Sequence, residues 1–139
     1  MDARLSAGRA RPDRRTLSAG RARPDRRTLG QVGEDAAADL YRRLRFRVVD
    51  RNWRCSDGEI DLVAVRGLLV VFCEVKARRT RHFGEPAEAV GVRKQLRLRR
   101  LAGRWLQLHR SRYARVRFDV VSVVVSGHNV EVHHIADAF

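Results

Sequence analysis

Lysine is nearly missing from this 139-residue chain: of its 30 basic residues only Lys76 and Lys94 are lysine, and the rest are arginine. Such a bias is most simply a product of GC-rich coding, under which a plain surface charge drifts to arginine, so the two surviving lysines draw suspicion; chance survival explains them equally. Aromatic residues make up only 6% and are scattered, which leaves a base-stacking platform for single strands without support. The two cysteines, Cys55 and Cys73, are too few and too far apart for a zinc knuckle, and a reduced pair in a cytoplasmic protein is expected. No apolar run reaches the roughly eighteen residues of a membrane span, and the basic N-terminus has no apolar stretch after it of the kind a secretory signal needs. Acidic residues number 16, so the formal charge is +14, and the partners expected are polyanions: nucleic acid ahead of an acidic membrane surface.

Part of that charge sits in a segment apart from the rest. Residues 5–16, Leu-Ser-Ala-Gly-Arg-Ala-Arg-Pro-Asp-Arg-Arg-Thr, recur unchanged at 17–28. A perfect tandem copy with almost nothing apolar to bury reads as a disordered basic tail over 1–28, or as an arm for nucleic acid. The tail carries +6 and leaves +8 on residues 29–139, which read as one domain.

Within the domain, Val32, Ala36, Leu40 and Leu44 recur every four residues, with Glu34 and Asp35 expected in the first turn of a helix. Residues 47–54 read as a strand and 56–58 as a turn. Ile60–Val65 and Leu68–Val75 read as a hairpin about Arg66-Gly67. Residues 77–86 read as a loop, and 87–110 as a helix with an apolar stripe of Leu98, Leu101, Trp105 and Leu108. Strands at 117–125 and 130–135 close the chain. The order predicts an α/β fold: an antiparallel meander of three strands, then a parallel crossover through the second helix.

The chemistry gathers at the hairpin. If Val65 pairs with Leu68, then Glu59 falls opposite Glu74, Asp61 opposite Phe72, and Glu59, Asp61, Glu74 and Lys76 leave one face at one end. Ile60, Leu62, Ala64, Leu69, Val71, Cys73 and Val75 form the other face. Three carboxylates against one ammonium in a strongly basic chain suit a hard divalent cation, Mg²⁺ or Mn²⁺, held by Asp61 and Glu74 with Glu59 in reach. Lys76 would then face a water or a developing phosphorane. An ordinary strand-end salt bridge of Lys76 with Glu74 or Asp61 accounts for the same residues, and a one-residue slip of register would separate the clusters. Arg93, Arg97, Arg100 and Arg104 form a basic stripe on the second helix, and Arg78, Arg79 and Arg81 follow Lys76; all are candidate phosphate contacts. Lys94 is grouped with them as a phosphate contact, although it lies on the line of the apolar stripe, where it either snorkels past the sheet or reaches the carboxylates. His82 reads as a solvated loop residue, and His133 and His134 alternate across a strand, against joint chelation.

Gly30-x-x-Gly33-Glu34, Arg51-Asn52-Trp53-Arg54, Gly58-Glu59-Ile60-Asp61-Leu62-Val63-Ala64, Phe72-x-Glu74-Val75-Lys76-x-Arg78, Lys94, Arg117-Phe118-Asp119-Val120 and the terminal His-Ile-x-x-Ala-Phe together resemble the YraN family of uncharacterised bacterial proteins. The resemblance covers 29–139. It implies a restriction-endonuclease-like αβββαβ core with a mixed central sheet, helices on both faces and an extra C-terminal strand, similar to archaeal Holliday-junction resolvases and other PD-(D/E)xK nucleases. It implies that Asp61 is the aspartate of that motif, that Glu74 and Lys76 are its E-x-K, and that Glu34 is an additional acidic ligand. Glu59-Ile60-Asp61 stands where the motif has proline-aspartate. A Mg²⁺-dependent endonuclease acting on DNA, branched or junction DNA included, is the activity implied. A module that binds nucleic acid on the same fold without cutting is the alternative. No membrane partner is expected, and the oligomeric state, a homodimer included, is left open.

Overall fold

The structure, a computed structural model, describes residues 13–18, 27–79, 90–109 and 112–139. In chain order its elements are β1 (Asp13–Ser18), α1 (Leu29–Arg43), β2 (Arg47–Cys55), β3 (Gly58–Arg66), β4 (Leu69–Arg78), α2 (Val92–Leu108), β5 (Arg115–Ser126) and β6 (Asn129–Ile135). The predicted αβββαβ order with a further C-terminal strand is present.

The strands form one mixed sheet of six in the order β1-β6-β5-β4-β3-β2. Only β4 and β5 run parallel, joined through α2. β1 lies within the segment read as a tail: Asp13–Ser18 pairs antiparallel with β6, Asp13 opposite His134 and Ser18 opposite Asn129, while 1–12 and 19–26 lie outside the described residues. Pairing along an edge uses backbone groups that every residue carries, so it needs none of the apolar alternation that the segment lacks.

α1 opens with a capping box: Thr28 Oγ1 accepts from the Gln31 N–H at 3.2 Å, and the Gln31 side chain accepts from the Thr28 N–H at 2.9 Å. The helix therefore starts at Leu29 with no acidic residue in its first turn, and Glu34 and Asp35 fall one turn later than expected. Its apolar stripe of Ala37, Leu40 and Tyr41 packs with Leu62, Ala64, Val71, Cys73, Val121 and Val123 on one face of the sheet. Gly33 sits where α1 crosses the end of β4. A Cβ there would stand 2.6 Å from the Ala77 Cβ, so only glycine admits this approach, and Glu34 is brought beside the strand end.

α2 covers the other face, burying Leu98, Leu101, Ala102 and Trp105 against Val63, Val65, Val70, Phe72 and Phe118. It begins after Gly91, later than residue 87, and Leu108 is exposed because the helix ends there. Ile60 belongs to this cluster, not to the face of Leu62. Between the pairs Arg51–Leu62 and Trp53–Ile60 the β2–β3 ladder is interrupted, and Asn52 there takes a φ of 51°.

The hairpin register differs from the expectation by two positions. Arg66 pairs with Leu69 and Val65 with Val70, so the turn residues are Gly67 and Leu68, with Gly67 at a φ of 57°. Moving a turn by one residue moves every partner by two, so each side chain keeps its face. The shift brings Asp61 level with Glu74.

Candidate functional site

The β3–β4 ladder ends at the pair Leu62–Cys73, one step before Asp61 and Glu74. There a side chain takes over: Asp61 Oδ2 accepts a hydrogen bond from the Val75 N–H at 2.8 Å. Glu74 is buried and forms an ion pair with Lys94 of α2. Of the two paths open to Lys94, the structure takes the one towards the carboxylates, so its charge is engaged with Glu74 and not displayed with the arginines.

The acids repel one another. Burial, then the charge of Glu74, pushes the Asp61 carboxyl up to about 7; the Val75 N–H opposes this, and Glu34 and Glu59 add to it. Asp61 thus stands within the field of all three other acids singled out in the sequence. Glu34 is held by Asn52, whose amide nitrogen donates to Oε2 at 2.8 Å. The left-handed backbone at Asn52, a conformation that asparagine tolerates better than most residues, belongs to this contact. Next to it Asp35 accepts from Arg51 and Arg27, each at 2.6 Å, and these bonds outweigh burial to lower its pKa. Together they tie the second turn of α1 to β2. Asn52 was not singled out as a site residue in the sequence; a polar residue interrupting a strand was the available signal.

Glu59 is exposed and ion-paired with Arg54 at 3.1 Å, which leaves it at the rim. Lys76 is half-buried two residues beyond Glu74 on the same strand. The acidic groups whose charge acts on Asp61, those of Glu74, Glu34 and Glu59, are all carboxylates. Among the described residues no three His, Cys, Asp or Glu side chains stand together closely enough to hold a metal by themselves. Two carboxylates that repel each other still suit a hard cation that keeps several of its waters.

Arg93, Arg97 and Arg100 are exposed along α2. Arg104 departs from the stripe: it donates to Asp57 at 2.6 Å and to Ser56 at 3.3 Å across the β2–β3 turn. Arg78 is half-buried and Arg79 exposed at the end of β4, whereas Arg81 and His82 lie outside the described residues. His133 and His134 do part across the strand. His133 Nε2 meets Glu131 at 2.5 Å, and His134 Nε2 meets Asp119 at 2.8 Å.

On the α1 face Asp119 is fully buried beneath donors from three elements. Tyr41 Oη donates at 2.7 Å, His134 Nε2 at 2.8 Å, Arg117 through Nε and Nη2 at 2.8 and 2.9 Å, and the Asp137 N–H at 3.0 Å. Burial alone would raise this carboxyl; His134 and Arg117 outweigh it and hold it at about 2. This network accounts for the Phe-Asp-Val and C-terminal motifs as a structural lock.

No helix among the described residues is long and apolar enough to cross a membrane. The chain is 46% identical over 112 residues to a UPF0102 protein of Rhodococcus opacus, covering 80% of this chain and 95% of the relative. It is 49% identical to a UPF0102 protein of Frankia casuarinae, with the same coverage. A UPF0102 protein of Geobacter metallireducens is 42% identical over 111 residues, 80% of this chain and 91% of the relative. The model of the uncharacterised protein family UPF0102 matches residues 33–123, a span that holds Glu34, Asp61, Glu74, Lys76, Lys94 and Asp119. Most of the YraN-like motifs fall inside this match, with Gly30 and the terminal motif at 134–139 outside it, and the chain belongs to the uncharacterised protein family UPF0102.

Proposed function

We propose that this protein is a Mg²⁺-dependent endonuclease that hydrolyses DNA. The observation that carries the reading is Asp61: a carboxyl at the end of a central strand pair, raised to about 7 by burial and by Glu74, Glu34 and Glu59, in a chain of net charge +14. Acids gathered against their own repulsion beside basic residues are the arrangement expected where a cation and a phosphodiester meet. Asp61 and Glu74 hold the cation, with Glu34 adjusting the site from α1. Bound there, the cation supplies charge neutralisation at the phosphate and a more acidic water.

The chain's own residues do the rest. Lys94 fixes the Glu74 carboxylate, and the Val75 N–H fixes that of Asp61. Lys76 orients the attacking water or offsets charge on the phosphoryl oxygens. Arg93, Arg97 and Arg100, with Arg79 at the end of β4, grip backbone phosphates and supply affinity without base readout.

A second reading has its own observation. Glu74 is already satisfied by Lys94, and no three-acid cluster exists among the described residues, which favours a module that binds DNA without cutting it. Cleavage of labelled duplex, single-stranded, flap and four-way-junction DNA by wild type and Asp61→Asn, with Mg²⁺, Mn²⁺ or chelator, separates the two. The nuclease reading expects metal-dependent product from wild type and none from Asp61→Asn, whose DNA affinity is equal or higher. Salt-sensitive binding with no product on any substrate selects the module. In either case neutralising Arg97 and Arg100 together weakens binding and reduces its log–log salt slope by up to about 0.9 per lost phosphate contact.

A further inference from the structure

Lys76 does not face the other strands alone. In the parallel β4–β5 pairing it stands opposite Ser122, and in the antiparallel β5–β6 pairing Ser122 stands opposite His133. Paired residues share a face, and neighbouring strands lie about 4.8 Å apart, so the three side chains form one row across the sheet. The face is that of α2. Phe118, four residues before Ser122, packs under that helix, while Val132 and His134 on either side of His133 turn to the α1 face.

This row is polar where its surroundings are not. Ser122 is 1% exposed and His133 6%, and Val120 and Val124 flank Ser122 along the strand. Ser122 Oγ is buried with no hydrogen-bond partner among the described residues. A hydroxyl buried in that way costs on the order of 1–3 kcal/mol, where alanine would cost nothing. His133 supplies the complementary half. Its Nε2 lies 2.5 Å from Glu131 Oε1, and since an ionised carboxylate only accepts, a neutral ring carries its proton on Nε2 and leaves Nδ1 as an acceptor.

We propose that Ser122 and His133 are positioning residues for Lys76. The Ser122 hydroxyl reaches neither neighbour directly; through one buried water on each side it donates towards His133 Nδ1 and accepts from the Lys76 ammonium, while Glu131 sets the tautomer that fixes this direction of donation. An ammonium has three donors, so the water-mediated link to Ser122 leaves two for Lys76's other partners, the reacting oxygen among them. The role in catalysis rests on the nuclease reading above; the hydrogen-bond row does not.

The experiment therefore has two arms. In the first, ¹⁵N-labelled histidine is observed by NMR well above the ordinary imidazole pKa range in wild type, Ser122→Ala and Ser122→Thr. The expected result is an Nε2-protonated His133 whose Nδ1 resonance shifts in Ser122→Ala and returns in Ser122→Thr. A proton on Nδ1, or an Nδ1 resonance indifferent to Ser122→Ala, overturns the proposal, and the tautomer is read on wild type without any variant. In the second arm, on whichever DNA wild type cleaves, Ser122→Ala lowers kcat on the order of ten-fold with KM unchanged, the loss of one net hydrogen bond. Ser122→Thr restores kcat to within about two-fold of wild type, since the hydroxyl is kept. An unchanged kcat in Ser122→Ala overturns the positioning role. If no substrate is cleaved, the nuclease reading fails, and the NMR arm alone decides the row.

Discussion

Two aspartates on inner strands of one sheet are driven in opposite directions. Asp119 is sealed on the α1 face and receives hydrogen bonds from Tyr41, His134, Arg117 and the Asp137 backbone, which hold it at about 2. Asp61, at the frayed end of the β3–β4 ladder, receives one backbone N–H from Val75 and faces Glu74, Glu34 and Glu59, which with burial raise it to about 7. The first has every lone pair supplied and nothing left to offer a ligand. The second is short of donors and rich in like charge, so something from outside can improve it. Burial alone does not distinguish a satisfied acid from a strained one; the count of donors does.

The largest effect expected is on the sealed side. Asp119→Ala leaves Arg117 and His134 without their counter-charge and should destabilise the protein by about 3–5 kcal/mol, read as a lower urea midpoint. A loss below about 1 kcal/mol would mean that the network is dispensable and the contrast false.

Asp61→Asn should do the reverse. Asparagine keeps an acceptor for the Val75 N–H and removes the repulsion, so stability above neutral pH should rise by about 2 kcal/mol even as function is lost. The pH dependence carries the same signature. Because the Asp61 pKa is higher folded than unfolded, the folded state binds the extra proton between about pH 4 and 7, and wild-type stability falls as pH rises through that window. Asp119 acts oppositely: its contribution is present above its unfolded value near 4 and is lost as pH falls towards 2. Denaturation curves from pH 2 to 9 should therefore show wild type most stable near pH 4–5 from these two groups, and Asp61→Asn without the decline from about pH 4 to 7.

The smallest effect is the most specific. Mg²⁺ at about ten times its Kd should stabilise wild type by about 1.4 kcal/mol and raise its Tm, while Asp61→Asn shows no such rise. An equal rise in both proteins would place cation binding elsewhere.

Much of this was legible in the sequence because it depends on periodicity. Alternation alone put Glu74 and Lys76 on one face, and it survived the two-position error in register because parity is insensitive to where a turn is centred. Arg66-Gly67 and Gly67-Leu68 both place the glycine, with its positive φ, in the turn, and only the pairing of Arg66 with Leu69 decides between them. The apolar stripe of α2 likewise runs through Lys94 but leaves two paths for its ammonium, past the sheet end or towards the carboxylates, and only the ion pair with Glu74 decides between them. The Asp119 network was illegible for the opposite reason: its partners Tyr41 and His134 lie 78 and 15 residues away, and local pattern does not encode which distant polar groups meet. Ile60 was misplaced because strict alternation puts it with Leu62, whereas the structure packs it in the α2 cluster.

The strand at Asp13–Ser18 bears on how copies of this protein avoid one another. A sheet has two rims, each a row of unsatisfied amides and carbonyls able to template a neighbour. Here one rim is β1 itself, six residues long with Asp13, Arg14 and Arg15 in its sequence, and the other, β2, carries Arg47, Asp50, Arg51 and Arg54; short length and charge discourage strand-to-strand pairing. The hexapeptide of that short charged edge, Asp-Arg-Arg-Thr-Leu-Ser, recurs in all but its last residue at 25–29, where Thr28 and Leu29 open a helix instead.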